Sequence, residues 1–226
     1  MNESRAVIIG ATGLIGNSLV KQLLNDSSFS KITILVRTWD DLRHPKLEVI
    51  PVNFNNLDEL RTKLPIGNTI FCCIGTTQKK VKGDKEAYRK IDFDIPVNIA
   101  QLGIEKGYRQ YVLVSAVGAN SQSSNFYLRL KGQVEDAIRN LPFEAITIFR
   151  PSVLIGNRKE KRIGERIGIA LVKTFSFLLT GKRSIYKAIH ADKVARAMLI
   201  SATLNKKGIV INHHDEIMMM TNPKLG

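Results

Sequence analysis

The sequence predicts an α/β protein built on a doubly wound parallel sheet. Three observations carry that expectation. Short apolar runs alternate with helical patterns from the start of the chain, the first run leads into a cluster of glycines, and 226 residues are enough for one full core but not for two large ones.

The apolar runs at residues 6–9, 32–36, 49–52, 69–74, 111–114 and 145–149 are six candidate strands. Between the first two, Ile15, Leu19, Leu23 and Leu24 recur at three- and four-residue steps, which places one apolar face against a sheet and marks the first crossover helix. Further helices are expected over 92–106, 125–140, 166–179 and 192–202, with Pro96 kinking or ending part of the first. After Arg150-Pro151 the alternation weakens and a basic loop runs over 157–166. The chain is therefore read as a single domain, 1–226, in which residues 151–226 supply most of a small C-terminal substrate-side lobe. Residues 213–226 receive no assignment.

Hydrophobic residues make up 44% and charged residues 24%, ordinary values that exclude a wholly disordered chain. No apolar run reaches the roughly 18 residues of a membrane-spanning helix, and the first residues lead straight into a strand, so the expected compartment is the cytoplasm. Cys72 and Cys73 are adjacent in an apolar run, where successive strand side chains face opposite ways, and read as core thiols. The net charge of +14 attracts phosphorylated cofactors, acidic substrates, nucleic acid or anionic lipid, and does not choose among them.

The strand over 6–9 runs into Gly10-Ala11-Thr12-Gly13-Leu14-Ile15-Gly16 and then a helix. Glycines at a sharp strand-to-helix turn leave backbone N–H groups free to bind a pyrophosphate, the arrangement of a Rossmann fold. An acidic residue near the end of the second strand bonds the ribose diol of NAD, whereas a basic one accommodates the extra phosphate of NADP. Here that position is Arg37, so NADP(H) is the expected cofactor. Asn53 and Phe54 are expected around the adenine, and the turn Ile74-Gly75-Thr76 beside the nicotinamide half.

The chain resembles the atypical short-chain dehydrogenase/reductases, specifically the group of the Tat-interacting tumour-suppressor oxidoreductase and its bacterial relatives. The resemblance covers most of the chain. It rests on Gly10 to Gly16, on Phe71-Cys72-Cys73-Ile74-Gly75-Thr76-Thr77, on Ser123-Ser124-Asn125-Phe126-Tyr127 through Lys131-Gly132, and on Phe149-Arg150-Pro151-Ser152-Val153-Leu154. Two departures bear on the site: Asn53 stands where many relatives have Asp, and Ala116 follows Ser115 where relatives often have a second Ser.

Tyr127 and Lys131 are four residues apart on an expected helix and project from one face. The resemblance implies the reductase Tyr-x-x-x-Lys roles for them. Lys131 lowers the cost of the Tyr127 phenolate and holds the nicotinamide ribose, Tyr127 exchanges a proton with the substrate oxygen, and Ser115 hydrogen-bonds that oxygen. For Pro151 and Val153 the resemblance implies backbone contact with the nicotinamide carboxamide. The implied chemistry interconverts a small-molecule carbonyl and an alcohol.

Asp192 is expected to cap the last helix, and neither His190 nor His213-His214-Asp215-Glu216 offers a closed metal-ligand set. Other readings stay open at this point. A non-catalytic NADPH sensor or interaction module has the same cofactor loop. The lysines at 79, 80, 82 and 85 and the basic loop face nucleic acid or a membrane surface in another reading, against which solvated charge is the plainer account. The apolar segment with Phe175, Phe177 and Leu178 suits a substrate cover, core packing or a homodimer face.

Overall fold

A computed structural model describes residues 4–38, 43–77, 80–156 and 181–222. The expected helix over 166–179, the basic loop over 157–166 and the apolar residues Phe175, Phe177 and Leu178 lie outside the described residues.

The main sheet contains β1 (Ser4–Ile9), β2 (Phe29–Val36), β3 (Leu47–Pro51), β4 (Thr69–Cys72), β5 (Gln110–Val114), β6 (Ala145–Phe149) and β9 (Gly208–Asn212). Its order is β3-β2-β1-β4-β5-β6-β9, and every neighbouring pair is parallel. All six expected strands are present. The seventh, β9, was not expected. β7 (Leu154–Ile155) and β8 (Ile189–His190) form a separate parallel pair beside the main sheet.

Alternation along β1 shows how the strands are buried on both faces. Ala6 and Ile8 enter one core with α1 (Leu14–Leu24) and the later helices, while Val7 and Ile9 enter the other. Two-sided burial explains why these strands read as continuous apolar runs. The second core is closed by α2 (Leu57–Lys63), α4 (Ile95–Glu105) and α5 (Phe126–Arg139). The sheet order reverses between β1 and β4, and in such sheets ligands lie beyond the carboxyl ends of the strands at that reversal.

The helix expected over 92–106 is longer and less regular. α3 (Lys85–Arg89) passes through a π-turn, Lys90–Asp94, into α4. Pro96 has no N–H with which to continue the ordinary ladder, and the wider turn, closed by Ile95 N–H on the Lys90 carbonyl, accommodates it without breaking the helix.

Part of the C-terminal stretch joins the main body. α6 (Ala191–Leu204) packs into the core beside α1, and β9 extends the main sheet, so 191–212 belong to the doubly wound body. Of the lobe expected over 151–226, the segments seen outside the body are 151–156 and 181–190. Asp192 does not cap α6: the N-cap is His190, without a side-chain bond, and Asp192 lies in the first turn. The unassigned tail forms α7 (His214–Thr221), where Glu216 accepts the His213 N–H at 2.9 Å. Both cysteines are free, Cys72 buried and Cys73 half-buried. Among the described residues no helix is long and apolar enough to cross a membrane and no side-chain cluster suits a metal ion.

Candidate active site

The first half of the site is the turn from β1 into α1. Gly10 has φ +80°, and a Cβ there would lie 2.5 Å from the carbonyl carbon and oxygen of Cys73 and 2.7 Å from the Ile74 nitrogen. Only glycine allows the β1–α1 turn to press against the backbone after β4. Gly13 is the N-cap of α1; no side chain caps this helix and its first turn has no acidic residue. The positive end of the helix dipole is thus left for an anion. Of the loop residues, Thr12 and Gly13 are exposed, Leu14 is half-buried, and Ala11 and Ile15 face into the core. Replacing Gly10 by alanine is expected to cost at least about 3 kcal/mol, from a left-handed backbone and a contact that backbone atoms cannot relieve. Denaturant unfolding checks it, and an unchanged midpoint contradicts it.

Arg37 directly follows β2 and is exposed, with no ion-pair or hydrogen-bond partner among the described residues. At the end of the neighbouring β3, the Asn53 side chain accepts the Asn55 N–H at 3.0 Å while Phe54 is half-buried against the core.

The second half rests on α5. Asn125 caps it by accepting the Leu128 N–H at 3.2 Å. At Gly132 an added Cβ would come within 2.1 Å of the Ser121 nitrogen, so this glycine lets the 116–125 loop lie flat against the helix and set the entry of Tyr127. Tyr127 is 36% exposed and meets the Tyr88 ring edge-on at 6.5 Å.

Lys131 is buried, and its Nζ lies 3.0 Å from Asp92 Oδ1, with Asp92 fully inaccessible. Asp92, delivered by the π-turn, also accepts the Thr76 N–H at 2.7 Å, and the Tyr88 hydroxyl donates to the Thr76 carbonyl at 3.1 Å. A Cβ at Gly75 would be in ordinary contact with both members of the ion pair. The Ile74-Gly75-Thr76 turn is therefore locked to Lys131 on one side, and the backbone just before it touches Gly10 on the other. Burial alone pushes the Lys131 pKa down; the Asp92 carboxylate and then Tyr127 outweigh it and hold it above the ordinary lysine value. Lys131 remains an ammonium at neutral pH. Asp92, which no short motif marks, joins Lys131 and the 74–76 turn in this cluster.

Ser115 lies directly after β5 and is buried. Its hydroxyl donates to Glu135 Oε1 at 2.5 Å, and buried Glu135 also accepts from Arg150 Nε at 3.0 and 3.2 Å and from Nη2 at 2.5 Å. A hydroxyl has one proton to donate, and here it goes to Glu135 rather than outward. Ser115, Glu135 and Arg150 tie the ends of β5 and β6 to α5. Pro151 is buried and its carbonyl accepts from Val117 at 3.0 Å; the Val153 carbonyl accepts from Ile189 at 2.9 Å, stitching this segment to β8. A separate cavity of about 230 Å³ lies at the amino ends of β1 and β2, between Arg5, Lys31 and Ile66, and no candidate residue lines it.

Comparison with known proteins identifies the family. The NAD(P)H-binding family model matches residues 10–199. The chain is 34% identical over 202 residues to protein HTATIP2 of Rattus norvegicus, covering 88% of this chain and 81% of the relative. It is 28% identical over 224 residues to protein FMP52, mitochondrial, of Candida albicans, covering 94% and 96%. Among solved structures, human epimerase family protein SDR39U1 with NADPH superimposes with a TM-score of 0.63 at 18% identity, covering 92% of this chain and 74% of that one, a likeness of fold. The cytoplasmic expectation is overturned, because FMP52 relatives from several fungi are named mitochondrial. That expectation rested on the absence of an address, and the absence of one address does not select another.

Proposed function

Because the chain belongs to the NAD(P)H-binding family, within the atypical short-chain dehydrogenase/reductase group, we propose that it is an NADP(H)-dependent oxidoreductase interconverting a carbonyl and an alcohol. One observation carries this reading. The backbone over 73–76 touches the glycine loop through Gly10 and the Asp92–Lys131 pair through Gly75 and Thr76, joining an anion-binding helix end to a Tyr–Lys helix at one end of the sheet.

The residues fit a dinucleotide. Gly10 to Gly16 would hold the pyrophosphate, Arg37 the extra phosphate, Asn53 and Phe54 the adenine, Ile74, Gly75 and Thr76 with Lys131 the nicotinamide half, and Pro151 and Val153 the carboxamide. When bound, the cofactor supplies or accepts the hydride. Tyr127 gives its phenolic proton to the carbonyl oxygen in reduction and takes it back from the alcohol in oxidation. Lys131, kept charged by Asp92, offsets the negative charge that appears on Tyr127. Ser115 acts through Glu135 and Arg150, holding α5 in place against the strand ends.

Carbonyl-dependent consumption of NADPH over a panel of aldehydes and ketones tests this reading; no consumption with any of them counts against it. Arg37→Glu should reverse the cofactor preference, read as the ratio of NADPH to NADH affinities, and an unmoved ratio would remove Arg37 from the phosphate site. A mitochondrial location, which the names of the fungal relatives support, is part of this reading, and organelle fractionation checks it.

A further inference from the structure

Beside Tyr127 the surface is basic in a specific way. Residues 80–90 contain Lys80, Lys82, Lys85, Arg89 and Lys90 against Asp84 and Glu86. Asp84 is committed to capping α3, accepting the Glu86 and Ala87 N–H groups at 2.8 and 3.1 Å, and Glu86 pairs with Lys90 at 3.3 Å. Lys82, Lys85 and Arg89 have no carboxylate partner among the described residues.

Two of these cations are held by aromatic rings instead. Lys85 Nζ sits 5.7 Å from the centroid of Phe126, the residue before Tyr127, and the Arg89 guanidinium lies 4.0 Å over Phe93. A ring face orients a cation without cancelling its charge. Tyr88, between them in the chain, meets Phe126 at 5.7 Å and Tyr127 at 6.5 Å, so this helix is laid directly against the helix turn that carries the reactive phenol. The first turn of α5 adds no acidic residue. The carboxylates deeper in the site, Asp92 and Glu135, are buried and already paired.

We infer that the substrate carries an anionic group, a carboxylate or phosphate, which rests against Lys85 and Arg89 while its carbonyl meets Tyr127. The inference rests on the oxidoreductase reading above and adds the substrate class. Fixed, unpaired cations at the mouth of a site raise the local concentration of an anion and orient it as it enters.

The test compares 4-formylbenzoate with its neutral methyl ester as substrates of the full chain with NADPH. The anion is expected to have a kcat/KM about tenfold higher or more, an advantage that shrinks as salt is raised and falls toward one in Lys85→Gln/Arg89→Gln. Equal kcat/KM values, or a preference unmoved by the double substitution, overturn the inference and leave the oxidoreductase reading intact. If neither aldehyde is reduced, calorimetric binding of 4-hydroxymethylbenzoate to the NADP-bound protein decides separately. Salt-sensitive binding that the double variant loses supports the anion site, and no binding overturns it. Binding of anionic phospholipid vesicles without binding of either benzoate reassigns the patch to a membrane surface and also overturns it.

Discussion

Replacing Tyr127 by phenylalanine is expected to lower turnover at least about 100-fold while leaving NADPH binding unchanged, the usual scale of a general acid's contribution. The substitution removes one hydroxyl from a ring that is 36% exposed and keeps the ring that meets Tyr88 edge-on, so the fold has little to lose. The two readouts must separate. Turnover measures proton transfer to the carbonyl oxygen, and binding measures the glycine loop, which lies on a different helix. A Phe variant with full turnover contradicts the assignment; one that loses binding as well points to a structural role for the ring.

The second large effect is expected at Asp92. Converting it to asparagine leaves the Lys131 ammonium buried with no countercharge, a change expected to cost about 3 kcal/mol or more. The 74–76 turn loses the carboxylate that holds it at the Thr76 N–H, so turnover should fall too. Because Asp92 and Lys131 are in contact, their substitutions should not add. Asp92→Asn/Lys131→Met, which removes both charges, should recover much of the stability lost in Asp92→Asn alone while remaining poor in turnover. Equal losses in single and double variants would show that the pair is not coupled. The pH dependence has a definite sign. The folded pKa of Lys131 lies above its unfolded value, so the contribution of the pair is fully present below about pH 10.4 and fades as the pH rises past it toward the folded value. In Asp92→Asn the burial that lowers the Lys131 pKa is no longer outweighed by the carboxylate, so the variant recovers stability by losing the proton as the pH rises, and its gap to wild type should begin to narrow in mild alkali, below about pH 10.4.

What was legible in the sequence was local. The strand–glycine–helix turn and the Tyr127–Lys131 spacing each occupy one short stretch, and both have the geometry that their spacing implies. Asp92 was hidden because its meaning depends on a residue far along the chain and on a π-turn that swings it inward, neither of which leaves a periodic signal. The Ser115 partners were hidden for the same reason: Glu135 and Arg150 come from a helix and a strand end that meet only in the folded protein. β9 escaped notice as a short edge strand that opens on a glycine and ends on an asparagine, bearing just three apolar residues between. Its pairing with β6 supplies the order that its own sequence lacks.

The glycine loop and Arg37 are proposed to bind NADP(H) together. This is tested most directly by titrating the protein with NADPH and with NADH while following thermal unfolding. A ligand at about 100 times its dissociation constant stabilises the folded state by roughly 2.7 kcal/mol. The unfolding temperature is expected to rise with NADPH at lower concentrations than with NADH; no rise with either would contradict cofactor binding by the glycine loop.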